Sequence, residues 1–252
     1  MKDKAFCDLF DRDGFAVLKS VLSSDRLSEL RAVIDESINP PLAPIEFEAD
    51  VAYPGSPESQ LADGGQTPRR LLHAYGRDAQ FRALAKDPEI VNALRDLLPS
   101  DGVFVSQNHH NCVMTKMPGF SSETQWHQDI RYWRFDKPEL ISVWVALGDE
   151  RIANGSLRMI PGSHRMAFDP GRLDAKLFLR QDLAENTALL ETAVDCELEA
   201  GDVLLFHCRT FHAAGRNTTD EPKLACVFTY HNAENRPIPG TRSARFPSIE
   251  VG

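Results

Sequence analysis

Ile141-Ser142-Val143-Trp144-Val145-Ala146-Leu147 is the stretch on which the fold turns. β-Branched and aromatic residues dominate it, and it carries no charge. Such a run is too apolar for an exposed sheet edge, so it predicts a strand inside the protein. Working outward, β-type runs recur at 103–106, 111–116, 156–160, 203–207 and 224–230, with turn residues at Pro161-Gly162 and Ala200-Gly201-Asp202 between them. Many short strands separated by such turns predict a sandwich or jelly roll, a fold that encloses a pocket between two sheets. Acidic residues and helix formers from 173 to 190 read as an insertion before the last strands.

Upstream of residue 100 the pattern is helical. Ser24 and Asp25 can cap a segment that places Leu27, Leu30, Val33 and Ile34 on one face. A second helix is expected over 88–98, where Ile90, Val91, Leu94, Leu97 and Leu98 recur at helical spacing and Pro88 suits the first turn. Between them, residues 39–67 hold Pro40, Pro41, Pro44, Pro54, Pro57 and several glycines. A loop of that length inside a domain reads equally as a lid over the site or as a passive surface excursion.

The 252 residues are 42% apolar, enough for a sizeable core, and carry a formal charge of −9. That charge, with Arg69-Arg70 as the strongest basic cluster, argues against nucleic acid as a partner. No apolar run approaches the roughly 20 residues that span a bilayer, so no membrane partner is expected. The opening MKDKAFCDLFDRDGF carries acids throughout and lacks the apolar core of a signal peptide. The five cysteines, Cys7, Cys112, Cys196, Cys208 and Cys226, are odd in number and scattered, as expected of reduced thiols in a cytoplasmic protein. Nothing in the chain fixes an oligomeric state.

The chemistry gathers at His127-Gln128-Asp129 and at a distant histidine, His207 or His212. Residues two apart on a strand point the same way, so His127 and Asp129 can reach one metal while Gln128 points elsewhere. Two imidazoles and one carboxylate cap one face of an octahedral ion and leave three positions open, as an oxygen-activating iron requires. A structural zinc site would be closed by four protein ligands. On spacing alone, His127 and Asp129 read equally as a surface or capping pair.

Further blocks accompany the motif: Trp126-His127-Gln128-Asp129, the NGSLRMIPGSH stretch at 154–164, and GDVLLFH at 201–207 running into Phe211-His212 and Gly215-Arg216-Asn217. A weaker block lies at Asp13-Gly14-Phe15-Ala16-Val17-Leu18. In these blocks the chain resembles the phytanoyl-CoA dioxygenase family of iron(II)- and 2-oxoglutarate-dependent oxygenases, over about residues 5–232 with 39–67 unmatched. The resemblance implies a mainly β fold with flanking helices, a double-stranded β-helix (jelly roll, cupin-like). It implies one oxygenase domain over 1–252: a helical N-terminal part to about 100, the jelly-roll core over about 101–232 and a tail at 233–252. His127, Asp129 and His212 would be the catalytic iron ligands, His212 being preferred because the family's ligand is the second histidine of its block. His164 would be a structural turn residue. Asp129 separates the chain from related halogenases, which place a small residue there.

The cosubstrate anchor departs from the family pattern. The family's arginine on the strand after the distal histidine corresponds to Lys223, a point donor in place of a planar fork. Arg216 or Arg209 could take over, the site could favour another keto acid, or Lys223 could be a solvated strand-end charge. The family's small hydroxyl residue two positions after the distal histidine is Ala214. Trp144 reads as a cosubstrate neighbour or a core residue, and Gln128 as a further hydrogen-bond partner near the cosubstrate. Asn111 and His110, with Asn108 and His109, are candidates for the substrate wall. Arg131 and Trp133 are candidates for its mouth, and Arg242 with Arg245 for holding an anionic group.

The function implied is hydroxylation of a small-molecule metabolite with iron(II), 2-oxoglutarate and O2, releasing succinate and CO2. No segment suggests a coenzyme A ester. The same oxidation could instead drive ring closure, desaturation or epimerisation. A metal-binding jelly roll without oxygenase activity is the alternative from another class, and Lys223 and Ala214 are its foothold.

Overall fold

In the structure, a computed structural model that describes residues 4–252, the apolar run at 141–147 is buried at every residue and forms a strand over Ile141–Ala146. The elements in order are α1 (Lys4–Asp13), β1 (Phe15–Leu18), α2 (Ser24–Ile38), β2 (Ile45–Phe47), β3 (Pro68–Leu72), α3 (Ala74–Arg77), α4 (Ala79–Ala85) and α5 (Pro88–Leu97). There follow β4 (Val103–Val105), β5 (Asn111–Lys116), β6 (Thr124–His127), β7 (Ile141–Ala146), β8 (Leu157–Met159), α6 (Ala184–Leu190), β9 (Val194–Cys196), β10 (Val203–His207), β11 (His212–Ala214), β12 (Lys223–Asn232) and β13 (Ile249–Glu250). The fold is a double-stranded β-helix. Its larger sheet runs β1-β10-β7-β12-β5-β3-β2, with β4 on β12 and β13 on β4, and its smaller sheet runs β6-β11-β8-β9.

β7 lies between β10 and β12, so it has no edge to expose. Its alternate residues serve two cores. Ile141, Val143 and Val145 join Val203, Leu205 and Phe228 against the helical layer of Leu30, Ile34, Leu84 and Leu94. Trp144 and Ala146 join Leu204, Phe206, Ala225 and Val227 against Leu157 and Met159 of the smaller sheet. That double cover is why the run is apolar at almost every position and not alternating. Each fully buried Val, Ile or Leu in it contributes roughly 1.5–3 kcal/mol over exposure, and a charge at 143 or 145 would break the packing.

The helices follow from local signals. Ser23, one residue before the expected cap, accepts from the Arg26 N–H at 3.4 Å, and Asp25 sits in the first turn, where the helix dipole favours an acid. Asp87 caps α5 by accepting from Glu89 N–H at 3.0 Å and pairs with Arg26 of α2 at 2.5 Å.

Two expectations need correction. The first hundred residues are not simply helical: β1, β2 and β3 extend the larger sheet, β1 on β10 and β3 on β5. Strands of three to five residues, one opening on Pro68 and carrying Arg69-Arg70, hold too little periodicity to read. The segment 233–252 is not a loose tail either, since β13 pairs with β4 and Asn108 Nδ2 donates to Ser243 O at 2.8 Å. No helix among the described residues is long and apolar enough to cross a membrane.

Candidate metal centre

His127 closes β6 and His212 opens β11, and the two are direct register partners in the smaller sheet. Sheet pairing therefore does what sequence distance obscured: it sets the two rings 4.2 Å apart, centroid to centroid. Asp129 follows in a single 3-10 turn, Asp129–Tyr132. Its Oδ1 lies 3.7 Å from His127 Nε2 and 3.5 Å from His212 Nε2.

Both imidazoles are fixed from behind. His127 Nδ1–H donates to Gln125 O at 2.8 Å and His212 Nδ1–H to Thr210 O at 3.0 Å, so both Nε2 lone pairs turn toward Asp129. Asp129 Oδ2 accepts from Ser142 Oγ at 2.7 Å. Burial alone would raise the Asp129 carboxyl, but His110, His212 and His127 and the Ser142 hydroxyl outweigh it and hold it at about 2. Burial, reinforced by His212 and Arg131, pushes His127 far below its ordinary range, so its ring is neutral and free to ligate. The donor atoms of the three buried side chains lie within 4.8 Å of one another. Two neutral imidazoles and one ionised carboxylate fit a divalent first-row ion such as iron(II), with one face left to the cavity.

Strand parity excludes His207. It shares the β10 face with Val203 and Leu205, which pack toward the helices, and its ring lies 5.4 Å from His164. Its Nδ1 accepts from Arg209 N–H at 3.1 Å. His164 is buried in the turn after β8, and its neighbour Ser163 accepts from Phe211 N–H at 2.9 Å. Gly14 supports the centre from the far end of the chain. Its carbonyl accepts from Thr210 Oγ1 at 2.9 Å, beside the carbonyl that holds His212. A Cβ at Gly14, where φ is +84°, would stand 2.4 Å from His164 Nδ1.

The triad lines a cavity of about 370 Å³ between the sheets. At one end of it, Lys223 is 3% exposed and so is no solvated strand-end charge. Its Nζ donates to Glu150 Oε2 at 3.0 Å and lies 4.9 Å from the Trp144 ring centroid. Glu150, 0% exposed, also accepts from Trp144 Nε1 at 2.6 Å. Lys116 stands directly opposite Lys223 in the β5–β12 pairing, and its Nζ donates to Ser122 O at 2.7 Å. Burial first, then the Lys223 charge, push Lys116 down to about 7.

Two expected cosubstrate contacts fall outside this cavity. Gln128 Nε2 donates to Arg209 O at 2.5 Å, as strand alternation would have it, and Arg216 Nε donates to Ser121 O at 3.0 Å. Arg209, the other stand-in anchor, donates to Met166 O at 2.8 Å. Ala214 lines the cavity and brings no hydroxyl.

At the other end stand His110, Arg131, Trp133 and Arg242, with Asn111 beside them. Asn111 is committed to structure, since its Oδ1 accepts from Tyr75 N–H at 2.8 Å. His110 Nε2 lies 3.6 Å from Asp129 Oδ1, and burial pushes this ring down to about 4 against the pull of Asp129. Trp133 stacks on His109 with centroids 4.8 Å apart and meets the His110 ring edge-on at 5.5 Å. Arg245 lies over the Phe246 ring and does not line the cavity. Two excursions meet beside the His127 ring. Tyr53, from the 39–67 loop, packs on Phe178 at 5.6 Å, and Phe178 meets His127 edge-on at 5.9 Å and carries Arg131 at 4.1 Å. Sequence reading had no signal for Lys116, Glu150, Ser142 or Phe178, because each gains its meaning only through strand pairing or loop packing.

A sequence profile of the phytanoyl-CoA dioxygenase family (PhyH) matches residues 10–225. Ectoine dioxygenase of Bordetella parapertussis is 26% identical over 243 residues, 90% of this chain and 74% of that enzyme. The Nocardia farcinica ectoine dioxygenase is 27% identical over 245 residues, 90% of this chain and 76% of its own length. Among solved structures, the non-heme alpha ketoglutarate dependent epimerase SnoN from nogalamycin biosynthesis is similar with a TM-score of 0.72 and 25% identity, over 94% of this chain and 85% of SnoN. EctD from S. alaskensis with 2-oxoglutarate and 5-hydroxyectoine gives a TM-score of 0.77 at 22% identity, over 99% of this chain and 86% of EctD, a likeness of fold.

Proposed function

The chain belongs to the phytanoyl-CoA dioxygenase family, and from that membership we propose an iron(II)- and 2-oxoglutarate-dependent dioxygenase that hydroxylates a small metabolite and releases succinate and CO2. His127, Asp129 and His212 hold the metal. One observation carries the assignment of the cosubstrate: the cavity lined by this triad is also lined by two lysines set directly opposite each other, Lys223 buried and Lys116 partly buried. Like charges so placed repel, and an anion between them relieves the repulsion. Lys223 and Lys116 therefore receive the distal carboxylate of 2-oxoglutarate, while its keto acid end faces the metal. A metal-binding jelly roll without oxygenase activity gives no account of this pair.

Iron(II), when bound, supplies dioxygen activation and the oxidation of an unactivated C–H bond, coupled to decarboxylation of the keto acid. The chain supplies position and dryness. Ser142 and the carbonyls of Gln125 and Thr210 hold the three ligand side chains in their orientations. Phe206, Leu157 and Met114 line the cavity with apolar surface, Tyr53 joins that lining, and Phe178 packs between Tyr53 and His127.

The substrate enters at the His110 and Trp133 end, where Arg131 and Arg242 suit an anionic group. A cavity of about 370 Å³ accommodates the cosubstrate together with a compact metabolite. Similar proteins are ectoine dioxygenases, and ectoine is the first compound to test. The similarity to SnoN favours a second outcome of the same oxidation, epimerisation at a C–H centre without net hydroxylation. Five scattered cysteines suit a reducing, cytoplasmic setting, and the whole chain acts as a single oxygenase domain.

The test is a panel of small metabolites, scored for stimulated succinate formation with iron(II), 2-oxoglutarate and ascorbate, with product masses measured. A gain of one oxygen atom identifies hydroxylation, and an unchanged mass with inverted stereochemistry identifies epimerisation. Failure to form succinate under any condition, with metal bound, overturns the assignment.

A further inference from the structure

We propose that Glu150 is a positioning residue for the cosubstrate: it fixes Lys223 in the geometry that an arginine would hold by itself. The inference rests on the reading of the Lys223 end as the seat of the distal carboxylate.

Glu150 is fully buried, and its backbone is locked by a two-way bridge to Leu198, N–H to O at 2.8 Å and the return bond at 3.1 Å. Its carboxylate has two partners, Trp144 Nε1 and Lys223 Nζ. A buried acid–lysine pair contributes little net stability, because desolvation offsets the attraction, so packing and stability give no reason to keep one here. Position gives a reason.

An arginine anchor is planar and presents two parallel donors without help. A lysine is a point charge on a flexible four-carbon stem, and its ammonium rotates freely. Glu150 takes one ammonium donor, and the Trp144 ring lies below the nitrogen. Trp144 in turn is oriented by its own bond to Glu150. The three side chains close a ring of contacts that removes the freedom of the lysine and leaves its remaining donors for a ligand. Lys223 and Lys116 face the same cavity, and Glu150 offsets the Lys223 charge directly.

The experiment measures dissociation constants anaerobically, by the absorbance of the iron(II)–keto acid complex and by calorimetry with manganese(II). It compares 2-oxoglutarate with pyruvate, which lacks the distal carboxylate. Glu150→Gln is expected to weaken 2-oxoglutarate about tenfold and leave pyruvate unchanged, the scale of a lost charge-assisted hydrogen bond. Adding Lys223→Arg to that variant is expected to restore 2-oxoglutarate to within about threefold of the parent, because the guanidinium needs no partner to hold its shape. Equal weakening of both keto acids, an unchanged 2-oxoglutarate constant, or no rescue by the arginine overturns the proposal. Should Glu150→Gln fail to fold, Glu150→Asp decides, since it keeps the charge and withdraws it from Lys223. The same selective loss is expected, and its absence overturns the role. A parent protein that binds the metal but no 2-oxoglutarate overturns the functional reading itself, an outcome distinct from a variant that binds normally.

Discussion

Lys116 and Lys223 face each other across β5 and β12 as direct register partners, both turned into the cavity. A strand pair would ordinarily place opposite charges or apolar residues at such a position. In the proposed reading, an anion held between them offsets the repulsion that remains after Glu150 pairs with Lys223. Lys223→Ala is accordingly expected to weaken 2-oxoglutarate by about 1.5–3 kcal/mol, the scale of a charge-assisted hydrogen bond. Steady-state KM and direct binding both report it, and unchanged values would move the anchor elsewhere.

The pH dependence follows from Lys116. Its folded-state value, about 7, lies below the ordinary 10.5, so between those limits the folded protein holds fewer protons than the unfolded chain. The destabilisation from burying the ammonium is fully present below about pH 7 and fades as pH rises toward 10.5. Lys116→Met is therefore expected to raise Tm at pH 6 more than at pH 9. In the parent, 2-oxoglutarate should bind more weakly as pH rises through 7, with proton uptake on binding, and the methionine variant should lose that slope. Calorimetry in buffers of different ionisation enthalpy measures both.

Asp129→Ala is expected to abolish metal binding and turnover while leaving the circular dichroism spectrum unchanged, because Asp129 lies outside the strands that pack the core. Ser142→Ala removes only the hydroxyl that holds Asp129 Oδ2 and should cost roughly 10–100-fold in metal affinity. Equilibrium dialysis with iron(II) or manganese(II) separates the two, and wild-type affinity in Ser142→Ala would remove that hydroxyl from the centre.

Phe178→Ala takes away the ring that touches His127, Tyr53 and Arg131. Water gains access to the metal position, so succinate should form in excess of oxidised product. The ratio of the two products, measured at saturating substrate, should rise from near one by about threefold or more, given the gating role of such covers. An unchanged ratio would make the 39–67 and 173–183 excursions passive.

Legibility in the sequence tracked how local each signal was. The strand at 141–147 was readable because burial on both faces wrote itself into consecutive residues. α5 was readable because Pro88 and four apolar positions agree on one helix. β1, β2 and β3 were not, since each gains its stability from a partner strand and carries only three to five residues of its own. At the site, His127 and Asp129 lie two apart and were visible, whereas choosing His212 over His207 needed the family pattern. Alternation along β10 carries the same answer: His207 shares parity with Val203 and Leu205. Glu150 and Lys223 lie 73 positions apart, and no spacing rule joins them.

The bond between Gly14 and Thr210 spans 196 of the chain's 252 positions. Closing so large a loop carries an entropic cost, which the pairing of β1 with β10 offsets. The support behind His212 is thus completed only when the beginning of the polypeptide has docked beside β10. A chain lacking residues 1–18 is therefore expected to hold a metal at His127, Asp129 and His212 more loosely, a loss that equilibrium dialysis with manganese(II) would report.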